Sequence, residues 1–168
     1  MGFVLILLVF SAVLVLQGSF FSLLLPPDFQ PDLLLVFVVS LGILLGEKRG
    51  SLIGFTAGLM QDAFFGPALG LFSLTKLMAA YIAGTVSKEI YKDQLAGPVI
   101  LICVITVFHE LLLFLIVHNF FYIPTFSYHL SSYLLIKTLG NVALIFIVYP
   151  LVFQVGKTTK LFPRDISL

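Results

Sequence analysis

Four ionisable side chains lie inside otherwise apolar stretches of the sequence: Asp62, Lys76, Glu110 and Lys137. On translocon insertion scales a charge at the centre of a bilayer costs roughly 2.5–3.5 kcal/mol. Four unpaired charges would therefore cost about 10 kcal/mol, which is comparable with the net stability of a whole domain. Since two of these residues are acidic and two are basic, we expect them to neutralise one another, to lose their charge or to face water.

Their positions along the chain place these side chains at a common depth. Each lies four to seven residues from the segment end that we assign to the outside of the cell. At a rise of about 1.5 Å per residue, this is roughly 6–10 Å below the outer boundary. Two neutral polar residues, on the first and last apolar segments, fall near the same level. The predicted partner- or ligand-binding polar cluster comprises Asp62, Lys76, Glu110, Lys137, Gln17 and Asn141.

Two interpretations of this cluster remain open at the level of sequence. It could be a set of buried ion pairs that fix the order of the helices, since such pairs contribute specificity more reliably than stability. It could equally be a polar cavity, open to the outside, that binds a ligand or a partner helix. Intramembrane charges favour a functional site by default.

No catalytic or metal-binding motif accompanies the cluster. The sequence contains no HExxH, no Walker loop and no GxSxG, which are the patterns that would indicate a zinc protease, a phosphate-binding loop or a serine hydrolase. Successive residues on a helix point about 100° apart, so His109 and Glu110 need not touch. We expect His109 to be a packed or lipid-facing neutral histidine, and the protein to be a non-enzyme without metal or cofactor.

The composition identifies lipid as the solvent for most of the chain. Of 168 residues, 60% are apolar and 10% are charged, whereas soluble domains carry about 25% charged residues. A soluble enzyme, a nucleic-acid-binding domain and a disordered tail are therefore all excluded. The net charge of +1 gives no reason to expect a nucleic-acid partner, and the single Cys103 excludes an intrachain disulfide.

Breaks in the apolar pattern divide the chain into six segments. We predict an all-α, polytopic transmembrane bundle over residues 1–156, with helices at 3–25, 33–46, 51–65, 71–86, 98–117 and 133–155, and a short basic tail over 157–168. The second and third segments are shorter than the roughly 17–25 residues of a spanning helix. The alternative is a four-helix protein in which these two segments are re-entrant.

The basic residues outside the cluster predict the orientation. All of them fall at the ends of even-numbered helices or beyond: Lys48, Arg49, Lys88, Lys92, Lys157, Lys160 and Arg164. The loops on the opposite side contain no Lys or Arg, and their only charged residues are Asp28 and Asp32. Because cytoplasmic loops of membrane proteins are enriched in Lys and Arg, we expect both termini on the cytoplasmic side of the membrane.

Aromatic residues crowd the loop that follows the fifth segment: Phe120, Phe121, Tyr122, Phe126, Tyr128 and Tyr133. Such rings commonly form a belt at the level of the lipid headgroups. The alternative is a docking surface on the outer face, and the belt is the favoured interpretation.

Five glycines are spaced by four across the second and third segments: Gly42, Gly46, Gly50, Gly54 and Gly58. This spacing places them on one helix face, where the absence of side chains lets another helix approach closely. We expect this face to pack within the chain rather than to form a dimer interface.

The order of motifs from 31 to 84 resembles the bacterial rod shape-determining MreD family. The residues that carry the resemblance are Pro31-Asp32-Leu33-Leu34, Gly46, Gly50, Gly54-Phe55, Gly58-Leu59, Asp62 and Gly70. The resemblance implies a non-enzymatic subunit of the cell-elongation machinery. It also implies a fold similar to the six-helix substrate-binding subunit of energy-coupling-factor transporters. Of the cluster, only Asp62 belongs to the shared motif.

Two functions follow as hypotheses. By the resemblance, a scaffold would work with the bitopic protein MreC, the actin-like MreB, and the glycosyltransferase and transpeptidase that extend peptidoglycan. A solute-binding transporter subunit would capture a small molecule in the outer cavity. Such subunits usually carry an alanine stripe on the first helix, whereas Ala12 is the only alanine between Phe3 and Leu25. A proton-coupled carrier that uses Asp62 and Glu110 is a third and weaker hypothesis, because the two lysines of the cluster argue against it.

Overall fold

The computed structural model describes residues 2–26, 29–66, 68–89, 94–120 and 130–159, and all regular structure within these ranges is helical. The first helix, α1, consists of an α-helix Gly2–Leu16, a π-helical turn Gln17–Phe21 and a final turn Ser22–Leu24. The other helices are α2 (Leu33–Leu45), α3 (Glu47–Phe65), α4 (Leu71–Val86), α5 (Ala96–Phe120) and α6 (Leu130–Thr159). A short 3-10 turn, Ser87–Glu89, extends α4.

The reversal between α2 and α3 is tighter than the sequence suggested. Gly46 alone separates the two helices, and its φ of 81° is a left-handed conformation that glycine adopts without strain. The charged residues from Glu47 onward therefore form the first turn of α3 rather than a loop. The acidic Glu47 is favourably placed there, because the amino end of a helix is electropositive.

The last helix is longer than expected. We predicted that Gly156 would end it, but α6 continues to Thr159 and contains Pro150. A glycine in a helix interior costs only about 1 kcal/mol relative to alanine, so one glycine does not end a helix of this length.

Among the described residues, three helical segments are long and apolar enough to cross a bilayer: Ile6–Leu24, Ala96–Asn119 and Ser132–Lys157. The apolar α2 has 13 residues, which corresponds to about 20 Å of helix against a hydrocarbon core of roughly 30 Å. The six crossings therefore remain a prediction for α2, α3 and α4.

Helix α2 is the central element of the bundle. It contacts each of the other five helices, and ten of its 13 residues are buried. A helix enclosed by protein does not have to match the thickness of the hydrocarbon core, because its ends meet other helices rather than lipid. This enclosure explains how so short a helix can lie in the middle of a membrane protein.

Glycines bring α2, α3 and α4 into close backbone contact. A Cβ atom built at Gly50 would lie 2.7 Å from Gly42 Cα, and one built at Gly54 would lie 2.5 Å from the carbonyl oxygen of Lys76. Gly58 similarly faces the backbone of Phe72 and Ser73. The glycine face thus packs within the chain, except that Gly46 makes the α2–α3 reversal.

Substitution of Gly58 by alanine tests this packing. The added methyl group would meet backbone atoms of α4, which cannot move aside as a side chain can, and such overpacking typically costs about 1–3 kcal/mol. We expect Gly58→Ala to lower the midpoint of helix loss on heating in detergent, measured by circular dichroism.

Gly140→Ala on α6 is the control, because its new Cβ would meet Pro31 Cβ at 3.0 Å, a contact that a shift of a few tenths of an ångström relieves. Alanine also has the higher helix propensity, so this variant should melt close to the wild type. Equal destabilisation by the two variants would contradict the close approach of α3 to α4.

Candidate functional site

Two buried ion pairs lie in the interior of the bundle. Lys76 Nζ on α4 lies 2.6 Å from Asp32 Oδ2 at the start of α2, and Lys137 Nζ on α6 lies 2.9 Å from Glu110 Oε1 on α5. The most exposed of these side chains, that of Lys137, is 15% exposed. Charges at this depth must be paired, because an isolated buried charge is strongly unfavourable.

Asp32 also caps the amino end of α2. Its Oδ1 accepts a hydrogen bond from the Leu35 backbone N–H at 2.8 Å, and its own N–H donates to Asn141 Oδ1 at 2.8 Å. Gln17, at the start of the π-helical turn of α1, accepts from the Leu34 N–H at 3.2 Å. The first N–H groups of a helix lack intrahelical partners. Here the side chains of Gln17, Asp32 and Asn141 accept hydrogen bonds from the N–H groups at the start of α2.

Glu110, the acidic member of the second ion pair, has several partners. Besides Lys137, it accepts a hydrogen bond from the Tyr133 hydroxyl at 2.9 Å, and His109 Nδ1 lies 3.1 Å from its Oε1. Lys137 also donates to the Tyr133 hydroxyl oxygen at 2.8 Å. The neighbouring side chains of His109 and Glu110 therefore do meet, and His109 is packed inside the protein.

Asn141 joins the first ion pair to α5. Its amide oxygen accepts from the N–H of Asp32, and its Nδ2 donates to Thr106 Oγ1 on α5 at 3.1 Å. We call the two ion pairs and the polar side chains around them the polar network; its members are Gln17, Asp32, Lys76, Thr106, His109, Glu110, Tyr133, Lys137 and Asn141.

Asp62 has different partners from those we expected. Its carboxylate accepts from the backbone N–H groups of Gly70 at 2.9 Å, Phe72 at 2.8 Å and Ser73 at 3.0 Å, and from the Ser73 hydroxyl. The short connection between α3 and α4 brings the last turn of α3 beside the first turn of α4. An anion at a helix amino end is stabilised by the free N–H groups and by the helix dipole.

The interior pairing thus corrects the sequence-based prediction at one position. From sequence, Asp62 is one of two acids that balance the two lysines, and Asp32 is an outer-loop charge. In the structure Asp32 pairs with Lys76, whereas the carboxylate of Asp62 accepts hydrogen bonds from backbone donors of α4. A signal for Asp32 was present, because an aspartate directly before an apolar helical run is a typical N-cap.

The network can carry out little chemistry of its own. Its two carboxylates are balanced by its two ammonium groups, and the buried polar atoms bond mainly to one another. In the ranges that the structure describes, no group of three His, Cys, Asp or Glu side chains is arranged to hold a metal ion. The arrangement is suited to holding α1, α2, α4, α5 and α6 in fixed register.

The remaining described basic residues lie at helix ends away from the polar network. Lys88 Nζ lies 3.1 Å from Glu47 Oε2, and this hydrogen-bonded ammonium holds the pKa of Glu47 below its ordinary value. Lys48, Arg49 and Lys157 are exposed. The basic residues Lys92, Lys160 and Arg164, and the aromatic residues 121–128 of the predicted belt, fall outside the described residues.

Comparison with known proteins supports the resemblance seen between Pro31 and Gly84. The family model for rod shape-determining protein MreD matches residues 1–155, so the similarity extends over nearly the whole chain. Searches of curated proteins and of solved structures gave no match. The match includes both ion pairs and the carboxylate that caps α4. The chain belongs to the MreD family of rod shape-determining membrane proteins.

Proposed function

We propose that the protein is a non-enzymatic scaffold in the bacterial cytoplasmic (inner) membrane. In this proposal it holds an MreC-type bitopic partner and links cytoplasmic MreB filaments to lateral peptidoglycan synthesis by the elongation glycosyltransferase and transpeptidase. Membership of a rod shape-determining family supports a role in cell shape.

The observation that carries this function is the internal pairing of the polar network. Lys76, His109 and Asn141 are fully buried, and Glu110 is 1% exposed. A solute site would offer such groups to a ligand, whereas here they are bonded to neighbouring helices. We therefore assign the network a structural role in partner binding, in which it holds the helices that present the outer faces to other membrane proteins.

Large apolar side chains on those outer faces give the scaffold an area for contact with partner helices. On α5 the exposed positions recur at three- and four-residue spacing and comprise Ile100, Val104, Val107, Leu111 and Leu115. Helices associate in lipid by close side-chain packing. The paired interior argues against the alternative, a solute-binding subunit of an energy-coupling-factor-type transporter, because capture of a solute would have to break ion pairs.

Affinity isolation of the tagged full-length protein in mild detergent tests the proposal. We expect a bitopic coiled-coil protein to co-purify with it. Co-purification of a pair of ATPases instead would favour the transporter subunit and overturn the scaffold. Lys76→Met should weaken recovery of the partner, and Lys88→Met, which changes an exposed lysine at the other end of α4, should leave it unchanged.

Cysteine labelling tests the proposed orientation with both termini in the cytoplasm. In a Cys103→Ala background, we expect Ser127→Cys to react with an impermeant thiol reagent added to intact cells. Lys48→Cys should react only after permeabilisation, because the α2–α3 reversal is assigned to the cytoplasm by its basic residues. The reverse pattern would overturn the orientation.

A further inference from the structure

His109 has one ring nitrogen that the polar network does not use. Its Nδ1 lies 3.1 Å from Glu110 Oε1, whereas its Nε2 is buried and has no hydrogen-bond partner among the described residues. The whole residue is 0% exposed. Nearly all buried polar atoms in folded proteins are hydrogen-bonded, either to protein or to ordered water. Nε2 therefore needs a partner that the described residues do not supply.

The surroundings of Glu110 decide the form of the imidazole ring. Its carboxylate accepts hydrogen bonds from the Lys137 ammonium and the Tyr133 hydroxyl, so it is an ionised acceptor to which Nδ1 must donate. The two carboxylates and two ammonium groups of the network already balance. A second proton on the ring would leave a net charge buried in the bundle. The ring is therefore neutral, and Nε2 is a hydrogen-bond acceptor.

Lys76 provides the complementary donor. Its ammonium carries three N–H groups; one bonds to Asp32 Oδ2, and Nζ lies 5.6 Å from the centre of the Phe72 ring. Lys76 is fully buried, and its partner Asp32 is joined to α5 through Asn141, which bonds to Thr106, one turn before His109. An ammonium with donors to spare and an imidazole with a free acceptor thus lie in the same buried interior, on the packed helices α4 and α5.

We propose that a buried water molecule binds between Lys76 and His109, accepting a hydrogen bond from Nζ and donating one to Nε2. Buried waters occupy polar sites in which two to four protein groups meet, and here one group requires an acceptor while the other requires a donor. Through the imidazole, this water links the Asp32–Lys76 pair to the Glu110–Lys137 pair. The two ion pairs then form one hydrogen-bonded chain across α2, α4, α5 and α6.

Solid-state NMR of the full-length protein in lipid bilayers tests this site. His118→Gln and His129→Gln leave His109 as the only histidine of the three in the sequence, so that ¹⁵N-histidine labelling reports on one ring. We expect an unprotonated, hydrogen-bonded Nε2 with a cross peak to water. A protonated Nε2, or an unprotonated Nε2 without a water cross peak, would overturn the proposal.

A double variant tests whether Lys76 holds the water. Asp32→Asn combined with Lys76→Met removes the donor, preserves the charge balance, and keeps a side chain that can cap α2. We expect the water cross peak at Nε2 to disappear in this variant and to persist in Lys88→Met, provided that circular dichroism shows native helix content. Persistence of the peak in the double variant would show that Lys76 does not bind the water.

Discussion

Replacement of Asp62 by leucine is expected to destabilise the protein by about 3 kcal/mol or more and to reduce recovery of the partner complex. The carboxylate accepts four hydrogen bonds from the first turn of α4. Bonds to a charged group contribute about 1.5–3 kcal/mol each, and a buried donor left without a partner costs about 1–3 kcal/mol. Leucine would leave several such donors unsatisfied. The measurement is the thermal midpoint of helix loss in detergent, together with affinity isolation.

Asp62→Asn provides a graded control. Both carboxylate oxygens accept backbone N–H groups, Oδ1 from Phe72 and Oδ2 from Gly70 and Ser73. Asparagine keeps one oxygen but turns an NH₂ group towards donors at the other, so its stability should lie between those of wild type and Asp62→Leu. Ser73→Ala, which removes only the hydroxyl donor, should have the smallest effect. Normal complex recovery and normal cell shape with Asp62→Leu would refute the assigned role.

Lys76→Met is expected to be the second severely destabilising change, at about 3–5 kcal/mol. It removes the counter-charge of Asp32, and breaking a buried ion pair leaves an uncompensated charge in the interior. Methionine has a similar length and is apolar. The loss of stability therefore measures the effect of the missing charge rather than that of a cavity. The same melting measurement in detergent gives the magnitude.

Adding Asp32→Asn to Lys76→Met should restore most of that stability. The second change removes the stranded charge, while asparagine can still cap α2 by accepting from the Leu35 N–H. Replacing both members of a buried pair by neutral groups is often close to neutral in stability. The stability lost in the double variant is compared with the sum of the losses in Asp32→Asn and Lys76→Met alone. If it equals that sum, Asp32 and Lys76 do not form the pair described here, because independent sites are additive and contacting sites are not.

The charges of the bundle show what could be predicted from the sequence and what could not. The apolar composition, the breaks in the apolar pattern and a rise of about 1.5 Å per residue are enough to predict an all-helical protein with several ionisable groups at a common depth. They predicted correctly that Glu110 and Lys137 lie where opposite charges can meet. The depth of a residue in the membrane depends only on its distance from the end of its own helix, so it can be estimated from the sequence.

Pairing, in contrast, depends on which helices are neighbours. Asp32 and Asp62 both lie at helix ends, and sequence alone cannot decide which of them reaches Lys76. The choice follows from the position of α2 at the centre and from the tight α3–α4 packing at Gly54 and Gly58, which directs Asp62 to the backbone of α4. His109 was interpreted as packed, yet its contact with Glu110 depends on side-chain torsions that a helical wheel does not contain.

The central position of α2 also has a consequence for biosynthesis. Asp32 obtains its counter-ion from Lys76, 44 residues further along the chain, and its backbone partner from Asn141, 109 residues further along. The ribosome therefore makes the innermost helix early and the groups that complete its surroundings late. In a nascent chain that stops before α6, the polar groups at the start of α2 still lack Asn141, and the face of α2 that packs against α6 is uncovered.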